Sequence, residues 1–219
     1  IRRPPRSTQG VSSAASDVYK RQALGFYMIA VVVGLIIHLL VTYMTILKVY
    51  VKMPLKTFFT GIGPAQLLAF STSSSGATLP VTMERCEDEL GVSEEVSSFV
   101  LPLGATINMD GTALYQAVAA VFISQAIGLE LSLLDQLTIV LTTVLASIGT
   151  AAVPGAGIIM LVIILEAIGV PSTGIALILG VDRILDMLRT VINVTGDATI
   201  AITIASSEGQ LGPAKKVAD

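Results

Sequence analysis

Two apolar stretches, residues 56–85 and 132–169, are each interrupted at the centre by a short hydroxyl- and glycine-rich segment carrying a proline: STSSSGATLP at 71–80 and SIGTAAVPGAG at 147–157. The interruptions leave arms too short to cross a hydrocarbon core of about 30 Å, which takes about 20 helical residues. Broken backbone at membrane depth is tolerated only where protein buries it or where it lines a watery cavity. Each stretch therefore predicts a re-entrant helical hairpin. Two such hairpins in corresponding places predict a transporter built from repeats.

Composition supports a membrane setting. Of 219 residues, 53% are hydrophobic and 13% charged, with a mean hydropathy of +0.81. A water-facing domain carries about a quarter charged residues. The run at 24–51 is long enough to span and ends among Lys48, Lys52 and Lys56 around Pro54, which the positive-inside rule assigns to the cytoplasmic side. His38 sits in the middle of that run, either packed against a neighbouring helix or serving as a proton relay. The single cysteine, Cys86, excludes an internal disulfide and a Cys-based metal site.

Residues 1–22 differ in kind. They hold Arg2, Arg3, Arg6, Lys20 and Arg21 against Asp17, so the chain's net negative charge falls entirely on the remainder. Lacking an apolar core, the segment is no signal peptide. It reads as a basic disordered tail or, preferably, as non-native sequence resembling a translated adaptor, with the native chain beginning near Ala23 and continuing as a C-terminal fragment. We expect 23–52 to be a transmembrane helix and 53–207 a transport core, made of hairpin 1 at about 56–84, a broken helix at about 93–128, hairpin 2 at about 132–169 and a last helix at about 171–206. A cytoplasmic tail is expected at 208–219. With both hairpins re-entrant, Lys48, Lys52, Lys56, Arg85, Lys215 and Lys216 fall on one side, while the connections at 128–135 and 169–173 carry no Lys or Arg.

The helices that follow the hairpins echo one another: INMDGTA at 107–113 and INVTGDA at 192–198 both place Asn, an acid and Gly inside apolar sequence. The echo predicts two hairpin-plus-helix units of inverted orientation. In the second helix Asp182, Asp186, Arg189, Asn193 and Asp197 fall at spacings of three and four, one stripe on a helix. Ionisable groups between long apolar runs cost about 2.5 to 3.5 kcal/mol each on insertion scales, so they must face a partner or a site. Asp186 and Arg189 either neutralise each other or meet a ligand.

Taken together, STSSSGATLP, NMDGTALY, SIGTAAVPGAG and DRILDMLRTVINVTGD resemble the C-terminal half of the dicarboxylate and amino acid:cation symporter family, the glutamate transporter homologues, over residues 23–207. The resemblance implies an all-α integral membrane protein, with transmembrane helices and two re-entrant helical hairpins in an inverted repeat. It implies that Arg189 meets the side-chain carboxylate of an acidic amino acid, as its fork of donors suits. Asp186 would take the amino group, Asn193 and the hairpin backbone at Ser75 the main-chain carboxylate, and Thr112, Thr190 and a Val153 carbonyl would complete the pocket. It also implies sodium sites built from oxygen ligands. One would use Asn108, Asn193 and Asp197 with the Gly104 carbonyl. A second would use carbonyls near Thr106, Ser147, Ile148 and Thr150, and a third Asn108 and Asp110 with an earlier helix that this chain lacks.

Further expectations follow from the family: sodium as coupling ion without an organic cofactor, a multi-pass protein of the plasma or inner membrane, a homotrimer when full length, and uptake of glutamate or aspartate. A C4-dicarboxylate or proton-coupled carrier and a non-transporting membrane scaffold are the alternatives. Some relatives carry an additional Arg in the first tip or directly after the substrate Asp; here Ser73, Ser74 and Met187 stand instead, and Arg183 either substitutes electrostatically or pairs with a neighbour such as Asp182. With one His, no Ser-His-Asp set or zinc-type His pair is possible, no Lys-bearing phosphate loop is present, and neither an enzyme nor nucleic-acid binding is favoured. The Asn193-Val194-Thr195 glycosylation pattern is a chance match inside a helix.

Overall fold

The computed structural model describes residues 6–214, with side chains from residue 22 onward. Residues 1–5 of the expected leader and 215–219 of the tail, including Lys215 and Lys216, lie outside the described residues. Helix α1 (Arg6–His38) runs on through a π-helical turn (Leu39–Tyr43), a short α2 (Met44–Ile46) and a second π-helical turn (Leu47–Val51). Within it Gln22–Val51 is the one helix among the described residues long and apolar enough to cross a membrane. Lys52 ends it in the left-handed region, and Pro54, without an N–H to donate, precedes α3.

Helices α3 (Leu55–Thr72) and α4 (Ser75–Asp88) pack as the first helical hairpin, joined by Ser73 and Ser74. Ser73 is left-handed (φ 53°), and the Ser74 hydroxyl accepts from the Ala77 N–H, capping α4. Helix α5 (Glu94–Ile107) is capped by Ser93, and Glu94 and Glu95 in its first turn favour its positive end. Asn108 and Met109 leave helical geometry, and the chain resumes as α6 (Asp110–Ala126).

The second hairpin is α7 (Leu133–Ile148) and α8 (Ala156–Ala167). Ser132 and Asp135 form a capping box at the start of α7, and the hydrogen bonds from Ser132 hold the Asp135 carboxyl below its usual range. Its tip turns on Gly155 (φ 75°), a conformation that a side chain would strain. The last helix differs from expectation at its start. Residues Ser172–Leu177 form a 3₁₀ turn, and α9 covers Leu179–Ser207. The reason is Pro171 followed by close packing, since a Cβ on Gly174 would meet the Ile123 side chain.

No strand forms among the described residues; the structure is all-helical, with one isolated bridge between Val92 and Leu211. Two cores share α9. One gathers Tyr27, Tyr115, Ile123, Leu161, Ile164, Leu185 and Ile192; the other gathers Phe58, Ile62, Leu90, Leu101, Ala198 and Ile202. The α9 stripe passes between them. Facing outward, α7 exposes Leu137, Val140, Leu141, Val144, Leu145 and Ile148 along one side, a face that water would not tolerate and hydrocarbon would.

Candidate substrate and cation sites

The five ionic and amide residues of the α9 stripe are all buried, with exposures between 2% and 8%. Three of them, Asp186, Arg189 and Asn193, face a small cavity of about 20 Å³ that the two hairpin tips, the α5–α6 break and α6 close. Its wall contains Ser75 from the first tip, Val153 from the second, Thr112 from α6 and Asp186, Arg189, Thr190 and Asn193 from α9. All seven residues expected to hold substrate therefore line one cavity. Ser73, Met109, Ala152 and Gly157 line it as well.

Arg189 donates to Asp186 Oδ1 through Nε at 3.0 Å and Nη2 at 2.8 Å. The other Asp186 oxygen accepts the Gly155 N–H at 2.9 Å, tying the second tip to α9. The guanidinium stacks 4.4 Å over the Tyr115 ring, whose hydroxyl donates to Asp182 at 2.6 Å. Asn193 Nδ2 donates to Thr112 Oγ1 at 2.9 Å. Arg189 Nη1, Asn193 Oδ1 and Ser73 Oγ are buried without a hydrogen-bond partner. Unpaired buried polar atoms are costly, and here a donor of positive charge and two hydroxyl or amide oxygens converge on one cavity. That set matches a small molecule bearing both an anion and hydrogen-bonding groups.

The tips also hold each other. The Ala152 carbonyl accepts from Ser74 Oγ at 2.7 Å and from the Gly76 N–H at 3.1 Å. A cavity of this size holds about one water, so in this structure the two tips meet over it.

Among the residues expected to bind cations, Asp197 lies under Asn108, whose Nδ2 donates to it at 3.0 Å. A Cβ on Gly104 would come within 2.8 Å of Asp197 Oδ1, so the bare backbone of α5 passes directly over the carboxylate. No cationic side chain pairs with Asp197 among the described residues, and a buried carboxylate without a cationic partner is costly to keep charged. Oxygens of Asn108 and Asn193 are of the hard type that sodium accepts. Asp110 is turned elsewhere: His38 Nε2 lies 2.6 Å from its Oδ2, and the Tyr43 hydroxyl donates to the same oxygen. Ser147 and Thr150 Oγ bond back to Val144 and Ala146 carbonyls within their own segment. Thr106 is exposed and bonds to Leu103, and Ile148 is exposed. No cluster of three His, Cys, Asp or Glu side chains forms among the described residues, so amide and carbonyl oxygens would have to complete a cation site.

The sequence profile of the sodium:dicarboxylate symporter family matches residues 12–207. The chain belongs to this family. Among its relatives, excitatory amino acid transporter 2 of Mus musculus is 50% identical over 182 residues, covering 83% of this chain and 32% of the relative. An excitatory amino acid transporter of Caenorhabditis elegans is 49% identical, covering 80% and 35%. Excitatory amino acid transporter 3 of Mus musculus is 49% identical, covering 80% and 34%. The chain thus spans about a third of the length of these symporter-family relatives.

Several contacts of this symporter chain are invisible to local sequence reasoning. Arg183 reaches away from the cavity to the Ser71 carbonyl at 3.4 Å rather than pairing with Asp182, which Tyr115 holds instead. Tyr115 and Gly157 shape the Arg189 slot, and His38 and Tyr43 meet Asp110. The hydroxyl run at 71–75 was the one signal for Ser73 and Ser74.

Proposed function

We propose that this chain is the substrate-binding part of a sodium-coupled secondary transporter that carries acidic amino acids such as aspartate or glutamate into the cell across the plasma membrane. The observation that carries this reading is the Arg189–Asp186 pair facing a cavity walled by both hairpin tips. A zwitterion with a second carboxylate exchanges this pair for two new ones: its ammonium replaces the guanidinium at Asp186, and its side-chain carboxylate replaces Asp186 at Arg189. Asp186 and Arg189 each keep an oppositely charged partner through the exchange, while the substrate's main-chain carboxylate adds one negative charge to the buried site, which a coupled cation would offset. Asn193, Thr112 and the backbone at Ser75 serve the main-chain carboxylate, with Thr190 and the Val153 carbonyl completing the wall.

On this reading the hairpins are re-entrant, the two hairpin-plus-helix units form an inverted repeat, and the full-length carrier is a multi-pass homotrimer. The exposed apolar faces of α1 and α7 then meet lipid or the rest of the carrier. Sodium enters near Asp197, Asn108, Asn193 and Gly104, and further ions near Asp110 and the carbonyls around Thr106, Ser147, Ile148 and Thr150. Bound sodium and bound substrate each favour closed tips, so each raises the affinity for the other. Chemistry on the substrate has no part in this cycle, and no organic cofactor is needed.

Uptake of labelled aspartate by the full-length carrier in liposomes should follow an inward sodium gradient. Uptake indifferent to sodium contradicts the coupling. Competition separates the C4-dicarboxylate alternative: Asp186 has no ammonium to meet in succinate, so unlabelled succinate should compete poorly, and competition equal to that of aspartate contradicts the amino-acid assignment.

A further inference from the structure

Gly157, in the first turn of α8, faces the Arg189 guanidinium with no side chain between them. A Cβ placed there would overlap Nη1 and lie 2.6 Å from Cζ and 2.7 Å from Nη2. The Gly157 backbone is not free to retreat, because its carbonyl accepts from Gln116 Nε2 at 3.0 Å and Gln116 is fully buried on α6. The Tyr115 ring, centred 4.4 Å from the guanidinium carbon, packs against the same group. The yielding part is the end of the flexible Arg189 side chain, which would have to leave its slot.

We infer that Gly157 sets the charge selectivity of the site: the space left by its missing side chain is what seats a cation where an acidic substrate side chain ends. This rests on the acidic-amino-acid reading above. Gly157 is a positioning residue acting through Arg189. With any side chain at 157 the guanidinium swings out, Asp186 and Asn193 still serve the ammonium and main-chain carboxylate, and a small neutral amino acid becomes the better fit.

The test compares sodium-driven uptake of aspartate and of alanine by the full-length carrier, unaltered and as Gly157→Ala, Arg189→Gln and the double variant. A preference for aspartate in the unaltered carrier tests the functional reading by itself, and its absence overturns both that reading and this inference. Given the preference, Gly157→Ala should lower the aspartate-to-alanine ratio by at least about tenfold, the loss expected on removing a charge-assisted hydrogen bond. The double variant should match Arg189→Gln for both substrates. A Gly157→Ala carrier that keeps its ratio, or a double variant that loses alanine transport which Arg189→Gln retains, overturns the inference while leaving the functional reading intact. Should Gly157→Ala be lost on purification, thermal stability decides: with the guanidinium gone, adding Gly157→Ala should leave the double variant as stable as Arg189→Gln alone, and a double variant clearly less stable than Arg189→Gln overturns the inference.

Discussion

Arg189 folds back along α9 to Asp186, one turn earlier, and places two donors on a single carboxylate oxygen while the second tip places the Gly155 N–H on the other. Asp186 therefore connects the guanidinium to the second tip. Whatever takes the Asp186 carboxylate from Arg189 also acts on the hold of the second tip.

The pair is buried, so its two halves depend on each other. Arg189→Gln strands the Asp186 charge and should destabilise the carrier by about 3–5 kcal/mol, whereas replacing both residues with neutral ones should cost less than either single change. A double-mutant cycle by chemical or thermal denaturation measures this. Additive losses would mean that the two charges are not coupled. Arg189→Gln should also abolish aspartate uptake.

Asp197 is buried beneath the Gly104 backbone with the neutral Asn108 amide as its hydrogen-bond donor. Asp197→Asn removes the charge that a cation would offset. The unaltered carrier should gain thermal stability as sodium is added, following ligand linkage. In the variant that gain should fall sharply, and an undiminished gain would remove Asp197 from the cation site.

Ser74 has two jobs at the first tip: it caps α4 through the Ala77 N–H and donates to Ala152 across the tips. Ser74→Ala should cost about 1 kcal/mol for the cap. It should also raise the rate at which a cysteine placed at Ala151 reacts with a thiol reagent, because the tips part more often. A rate unchanged from that in the unaltered background would mean that the tip contact contributes nothing to closure.

His38 and Tyr43 both engage Asp110 Oδ2. Tyr43→Phe removes one donor to the Asp110 carboxylate and leaves a fold that His38 still ties to α6, so a loss of about 1.5–3 kcal/mol is expected, with His38→Ala costing more because it removes the whole ring, and with it the edge contact to Tyr43, as well as the hydrogen bond. Thermal denaturation of the two variants gives the order. Equal stability of both variants with the unaltered protein would make the cluster inconsequential for the fold.

Much of this architecture is legible in the chain because it is local. The Ser- and Gly-rich tips and the spacing of the α9 stripe each follow from residues within a few positions of one another. The partners were harder to read. His38 and Asp110 are 72 residues apart, and Tyr115 and Asp182 are 67 apart; nothing near either member of a pair names the other. The start of α9 was misplaced for a related reason, since Gly174 is shaped by Ile123 on a different helix. Gly157 reads in sequence as one more glycine of a turn, and its meaning emerges only with Arg189 lying against it.

The central claim is that sodium and an acidic amino acid bind this fold together. Measuring the aspartate dissociation constant of the full-length carrier at low and at saturating sodium tests it most directly. The affinity should rise steeply with sodium in the unaltered carrier and be lost in Arg189→Gln. An aspartate affinity independent of sodium would contradict it.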